Sequence, residues 1–208
     1  MAFAFSDPLY LIADAAGGRD AVALAEAILA GGAALLQLRA KDAATAELVA
    51  LARAIKARSD AAGARLIIND RADVARLVGA AGVHLGQDDL PPAAARAILG
   101  PAAVIGFSTH SQEQVAAAVR DGAIDYLAFG PIYPTTSKRG ADPAQGLVAL
   151  SAVRARCALP LVAIGGIDAS TVADVLAAGA DAVAVIGAVA GAADPAAALR
   201  ALRRAARA

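Results

Sequence analysis

Apolar residues along this chain come in eight short, unbroken runs: LYLIAD, ALLQLRA, RLIIND, GVHLGQ, VIGFST, YLAFGP, LPLVAIGG and DAVAVIGA. A strand with one face in water alternates apolar and polar residues, whereas continuous runs fit strands covered on both faces. The segments between them, such as RDAVALAEAILAGGA and SQEQVAAAVRDGA, combine strong helix formers with a closing glycine. Ser111 before QEQVAAAV and Asp168 before ASTVADVLAAG each offer an N-cap oxygen, and Pro91-Pro92 suit the first turn of the fourth helix. Eight strand–helix units in 208 residues predict an α/β protein, a compact (β/α)8 TIM barrel forming a single catalytic domain over residues 1–208. A doubly wound open sheet is the alternative, disfavoured by the unit count and by the absence of a glycine fingerprint after the first strand.

Composition narrows the partners. The hydrophobic fraction of 59% against 3% aromatic predicts an aliphatic core. Nineteen basic and nineteen acidic residues cancel, which argues against a nucleic-acid or anionic-membrane surface. The apolar runs all break well short of the roughly 18 residues a membrane helix needs. The start, MAFAFSDP, lacks the pattern of a signal peptide. The lone Cys157 cannot form an internal disulfide and reads as buried packing. The expectation is a soluble cytoplasmic protein without nucleic-acid or membrane partners; a homo-oligomer is compatible with the sequence.

The polar residues are placed selectively. Barrel chemistry sits at the C-terminal ends of the strands, and there the chain puts Gln37, Arg39 and Lys41, then Asn69 and Asp70. His84, Gln87, Asp88 and Asp89 follow, then Ser108, Thr109 and His110, and finally Thr135, Thr136, Ser137 and Lys138. Strand-end glycines Gly165-Gly166 and Gly187 complete the ring.

Gln37, Arg39 and Lys41 share one face of an extended segment and can converge on one point; the plain reading is a solvated strand end. Asp70 and Asp89 end neighbouring predicted strands and can share a cation such as Mg2+, which takes one or two carboxylates plus phosphate oxygens and water. For Asp70 a helix N-cap competes with that role; His84, outside the carboxylate pair, has a hydrogen-bonded core position as its plain reading. The glycines after the seventh and eighth strands suit close backbone approach to a phosphate. Two anion sites at one mouth, one with carboxylates for Mg2+, suggest two anionic groups, on one substrate or two, and a diphosphate leaving group is chemically coherent with them.

The ordered motifs QLRAK, IIND, GVHLGQDD, GFSTH, AFGPIYPTTSK, AIGGI and AVAVIGAV resemble those of the thiamine phosphate synthase family over nearly the whole chain. The resemblance implies a transferase of thiamine biosynthesis. It would couple 4-amino-2-methyl-5-pyrimidinylmethyl diphosphate to 4-methyl-5-(2-phosphooxyethyl)thiazole, or its carboxylated form, with one Mg2+ per active site. By matching position, Gln37, Leu38, Arg39, Ala40, Lys41, Asn69, Ser108 and Lys138 would bind the pyrimidine diphosphate, with Arg39, Lys41, Ser108 and Lys138 catalytic. His84 would line the pyrimidine pocket, Asp70 and Asp89 would hold the metal, and Thr135, Thr136, Ser137, Gly166, Ile186 and Gly187 would bind the thiazole phosphate.

Two positions depart from the family pattern: Gly187 stands where a serine is usual, and Ser137 where a threonine is usual. Arg139 and Gly140 have no assigned role; a flap closing over the mouth is the hypothesis for them. The rival readings are a thiazole tautomerase paralogue, which would have no use for a Mg-diphosphate grip, a non-catalytic phosphate-ligand binding protein, and a generic barrel isomerase.

Overall fold

The computed structural model describes residues 3–137 and 142–207. Eight strands pair in sequence order, all parallel, and close on themselves: β1 (Leu9–Asp14), β2 (Leu35–Arg39), β3 (Arg65–Asn69), β4 (Gly82–Leu85), β5 (Val104–Thr109), β6 (Tyr126–Phe129), β7 (Leu161–Ile164) and β8 (Ala182–Val185). Every predicted apolar run contains one of them. Helices α1 (Ala21–Ala30), α2 (Thr45–Ala61), α3 (Ala72–Val78), α4 (Pro92–Leu99), α5 (Gln112–Asp121), α6 (Gly146–Arg154) and α7 (Val172–Ala177) follow the first seven strands, and a short α8 (Gly187–Ala190) and α9 (Pro195–Ala205) follow the last. The fold is the (β/α)8 barrel. No helix among the described residues is long and apolar enough to cross a membrane.

Strand alternation splits the apolar residues between two cores. On β1, Leu9, Leu11 and Ala13 face the layer between barrel and helices, while Tyr10 and Ile12 point into the barrel; β2 repeats this with Leu36 and Leu38 outward and Leu35 inward. This double burial is why the runs are continuous. The inward series changes character along each strand: Tyr10 and Ile12 lead to Asp14, Leu35 to Gln37 and Arg39, Ile67 to Asn69, and Val104 to Gly106 and Ser108. The far end is closed by rings. Phe3, Phe5, Tyr10 and Tyr126 pack at centroid distances of 4.9–5.9 Å, and Arg65 lies over Phe3.

Local signals held in part. Ser111 Oγ accepts from Gln114 N at the start of α5, and Pro92 opens α4. Asp168 is a correction: α7 begins at Val172, with Thr171 as its N-cap residue. The Asp168 carboxylate instead ties the preceding turn, accepting from Ser170 N and Ser170 Oγ. Cys157 is buried and unpaired.

Candidate active site

The polar strand ends meet at one mouth as two adjacent groups. The first is built on β1 to β5. At the end of β2, Arg39 Nη1 donates to Asp14 Oδ1 at 2.7 Å, and Arg19 Nη1 approaches the other oxygen at 3.4 Å. Asp14 is only 1% exposed, so a buried carboxylate fixes the Arg39 head group. Lys41 turns to Asp70 instead, with Nζ 3.0 Å from Oδ2. Gln37 is buried and donates from Nε2 to Tyr10 Oη at 2.8 Å. Gln37 and Arg39 thus leave one face of the strand, Lys41 lies beyond its end, and each of the three has its own partner in place of a common point. Leu38 and Ala40 lie in the outer core, so only their backbone is available to a ligand. Asn69 is half-buried and registers with His84 across the β3–β4 ladder.

Asp70 is no helix cap, since the residue preceding α3 is Arg71. It adopts φ 63°, a left-handed backbone rare for residues with a side chain. Its N–H bonds the His84 carbonyl at 2.8 Å. Burial, then the neighbouring Asp89 carboxylate, raise its pKa to about 6, against the opposing pull of Lys41. Asp89 is held by the loop after β4, accepting from Gly86 N at 2.7 Å. Two carboxylates that crowd each other, one of them paired with a lysine, are a donor set suited to a divalent cation. Among the described residues no group of three or more His, Cys, Asp or Glu side chains gathers, so the pair would need phosphate oxygens and water to complete octahedral Mg2+.

His84 is a buried, hydrogen-bonded histidine. Nδ1 lies 2.8 Å from Tyr126 Oη and Nε2 2.8 Å from Ser108 Oγ. Burial pulls its pKa down to about 4, leaving the imidazole neutral at physiological pH. It meets the mouth through Ser108.

The second group lines a cavity of about 520 Å³ on the β5–β8 side, bounded by Ser108, Thr135, Thr136, Ser137, Gly166, Ile186 and Gly187 among others. All six residues expected at the thiazole phosphate are in that lining. Ser108 is the one member of the expected diphosphate set, among the described residues, that also borders it. The loop after β6 packs directly on the Gly165-Gly166 turn: Ile132 N donates to Ile164 O at 2.8 Å and Tyr133 N to Gly165 O at 3.0 Å. Gly166 has φ 64°, and a Cβ there would fall 2.6 Å from the Pro134 carbonyl oxygen. The glycines therefore serve the close approach of two loops as well as any anion. At Gly187 a Cβ would meet only Ser137 Oγ, at 3.2 Å, so the missing side chain leaves room for that hydroxyl.

Lys138, Arg139 and Gly140 lie outside the described residues. Thr109, placed in the polar ring by its position, is buried and donates to Ala128 O. Asp14, Tyr10 and Tyr126 did not stand out in the sequence. Asp14 carried a usable signal, being the single charged residue of LYLIAD and two residues beyond Ile12 on the inner face.

The family model described as Thiamine monophosphate synthase matches residues 9–189. Thiamine-phosphate synthase of Methanoculleus marisnigri is 51% identical over 175 residues, covering 82% of each chain. Thiamine-phosphate synthase of Methanospirillum hungatei is 47% identical over 173 residues, covering 82% of this chain and 84% of that one. The solved thiamine phosphate pyrophosphorylase from Pyrococcus furiosus superposes with a TM-score of 0.86 at 35% identity, covering 96% and 95% of the two chains. Orotidine 5'-phosphate decarboxylase from Pyrococcus horikoshii, at 15% identity and a TM-score of 0.70, shares the fold alone. The motifs, the closed barrel and these matches agree: the chain belongs to the thiamine monophosphate synthase family.

Proposed function

We propose that this protein is a thiamine phosphate synthase. It joins 4-amino-2-methyl-5-pyrimidinylmethyl diphosphate to the thiazole phosphate, or its carboxylated form, and releases diphosphate. The observation that carries the reading is the pair of anion grips sharing one mouth. Cations and carboxylates from β1–β4 stand on one side, the hydroxyl and glycine-lined cavity on the other, and Ser108 lies between them.

Asp70 and Asp89 would hold Mg2+, which when bound supplies positive charge against the diphosphate oxygens. Arg39, oriented by Asp14, and Lys41, paired with Asp70, stabilise charge developing on the leaving group. Lys138 is assigned the same task. Gln37, Asn69 and Ser108 position the diphosphate-bearing substrate, and the neutral His84 supports Ser108 from beneath. Thr135, Thr136 and Ser137, with backbone at Gly166, Ile186 and Gly187, hold the thiazole phosphate. Departure of diphosphate leaves a methylene cation stabilised by the electron-rich aminopyrimidine, and the thiazole nitrogen captures it. No protein nucleophile is needed; positioning and electrostatics supply the acceleration, and the mouth must exclude water.

The test is direct. The purified protein is mixed with Mg2+, the pyrimidine diphosphate and the thiazole phosphate, and thiamine phosphate and diphosphate are measured. Stoichiometric formation of both is expected. Binding of both substrates without product would point to the non-catalytic binding protein, and proton exchange on the thiazole alone to the tautomerase.

A further inference from the structure

Five side chains from five strands form one continuous hydrogen-bonded chain through the barrel interior. Gln37 Nε2 is 2.8 Å from Tyr10 Oη, Tyr10 Oη 3.0 Å from Tyr126 Oη, Tyr126 Oη 2.8 Å from His84 Nδ1, and His84 Nε2 2.8 Å from Ser108 Oγ. Its two ends are residues assigned to the same substrate, while its middle is sealed: Tyr10 is 1% exposed and Tyr126 0%. A glycine makes room for it. A Cβ on Gly106 would overlap the Tyr126 ring and fall 2.5 Å from His84 Nδ1.

The chemistry of the first link gives the chain a direction. An amide nitrogen only donates, so the Tyr10 oxygen accepts from Gln37. The Tyr10 proton then has one described partner left, Tyr126 Oη. Tyr126, having accepted, donates onward to His84 Nδ1, which must present a lone pair. A neutral imidazole with a bare Nδ1 carries its proton on Nε2, and that N–H donates to Ser108. Ser108 Oγ accepts, and its own proton points away from the chain.

We propose that Gln37, Tyr10, Tyr126 and His84 form a one-way relay that keeps the Ser108 hydroxyl proton free to donate to the ligand at the mouth. A serine that donates inward has no proton left for a ligand; one that accepts from His84 keeps its proton for the mouth, which is what a diphosphate oxygen requires. Tyr10, Tyr126 and His84 are positioning residues, acting through Ser108. Only the identity of the ligand rests on the synthase reading; the four internal links do not.

The experiment is nitrogen-15 NMR of the imidazoles in the full protein without ligand, at mildly alkaline pH. The chain has two histidines, and His110→Gln identifies the His84 signals. His84 is expected as the pure Nε2–H tautomer; the Nδ1–H form, a mixture or an imidazolium overturns the relay. Gln37→Glu replaces the terminal donor by a carboxylate that only accepts, so every link reverses and His84 becomes Nδ1–H, although the substitution does not touch it. Retention of Nε2–H in that variant overturns the proposal. Should it fail to fold, Tyr126→Phe keeps the ring and removes the link. Mixed tautomers are then expected, with kcat lowered about tenfold, the worth of one well-placed hydrogen bond, and a smaller change in KM for the pyrimidine diphosphate. An unmixed Nε2–H tautomer with unchanged kcat would show that the tautomer is set locally, which overturns the relay. A wild-type protein with Nε2–H but no thiamine phosphate formation removes the synthase reading and leaves the relay. An active protein with Nδ1–H does the reverse.

Discussion

Arg39 and Asp14 are register partners on neighbouring strands, and their side chains meet at 2.7 Å with the carboxylate almost fully buried. A buried ion pair is weak evidence of stability, but breaking one by removing a partner is costly, because the other charge is left uncompensated. Asp14→Ala is therefore expected to lower unfolding free energy by about 3 kcal/mol in a denaturant titration. Asp14→Asn should cost less and raise KM for the pyrimidine diphosphate, because Arg39 loses its charged anchor. Equal stability of Asp14→Ala and wild type would show that Arg39 relaxes into solvent.

Asp70 carries its charge at a cost in stability. Its carboxyl has a pKa of about 6 in the fold, above the ordinary value of about 3.9. Below the ordinary value it is protonated in both folded and unfolded states and contributes nothing. As pH rises towards 6 the unfolded chain releases its proton first, so stability is lost across that window, and above it the whole deficit is present. Asp70→Asn removes the deficit and places a side chain that tolerates positive φ. With Mg2+ chelated, its Tm should exceed that of wild type by about 2–4 °C at neutral pH, with the gap closing in acid. Its synthase activity should be lost.

The metal proposal predicts a graded thermal shift. Mg2+ alone should stabilise weakly, since only two carboxylates face it, and Mg2+ with inorganic diphosphate more strongly. Asp89→Ala should abolish both shifts. Asp89→Ala and Lys41→Ala should each lower kcat by about 10²–10³, the range for losing one preorganised electrostatic contact. Shifts that survive Asp89→Ala would place the cation elsewhere.

Gly166 is restricted twice over, by φ 64° and by the Pro134 carbonyl oxygen, which would lie 2.6 Å from any Cβ placed there. Gly166→Ala is expected to lift the loop after β6 and raise KM for the thiazole phosphate by about 5- to 150-fold, a strain of about 1–3 kcal/mol expressed as binding. KM for the pyrimidine diphosphate should change far less. Gly187→Ala meets only the Ser137 hydroxyl and should produce a milder version of the same split.

The strands were legible because burial on both faces leaves an unbroken apolar run, and parity along β2 put Gln37 and Arg39 on one face, although Gln37, Arg39 and Lys41 do not converge on one point. Asp14 was passed over because a terminal aspartate also looks like the first loop residue; its burial depends on Arg39 and Arg19 arriving from elsewhere. The tyrosine link was out of reach for a different reason. Tyr10 and Tyr126 are 116 residues apart, and each reads as one more ring in an apolar strand until closure of the barrel brings the hydroxyls together. The start of α7 slipped from the position beside Asp168 because Ser170 and Thr171 offered that carboxylate a turn of its own.

The cluster of rings at the closed end of the barrel has an optical consequence. The chain has no tryptophan and three tyrosines, so near-ultraviolet absorbance and fluorescence arise almost wholly from them. Burial pushes the pKa values of Tyr10 and Tyr126 well up, so neither phenol should change its spectrum in alkali until the barrel opens. Their delayed colour change would then time unfolding. Tyr133 stands apart, on the loop seated over Gly166. It is a native fluorophore on the loop that borders the mouth, placed to register a shift of that loop on ligand binding without any added label.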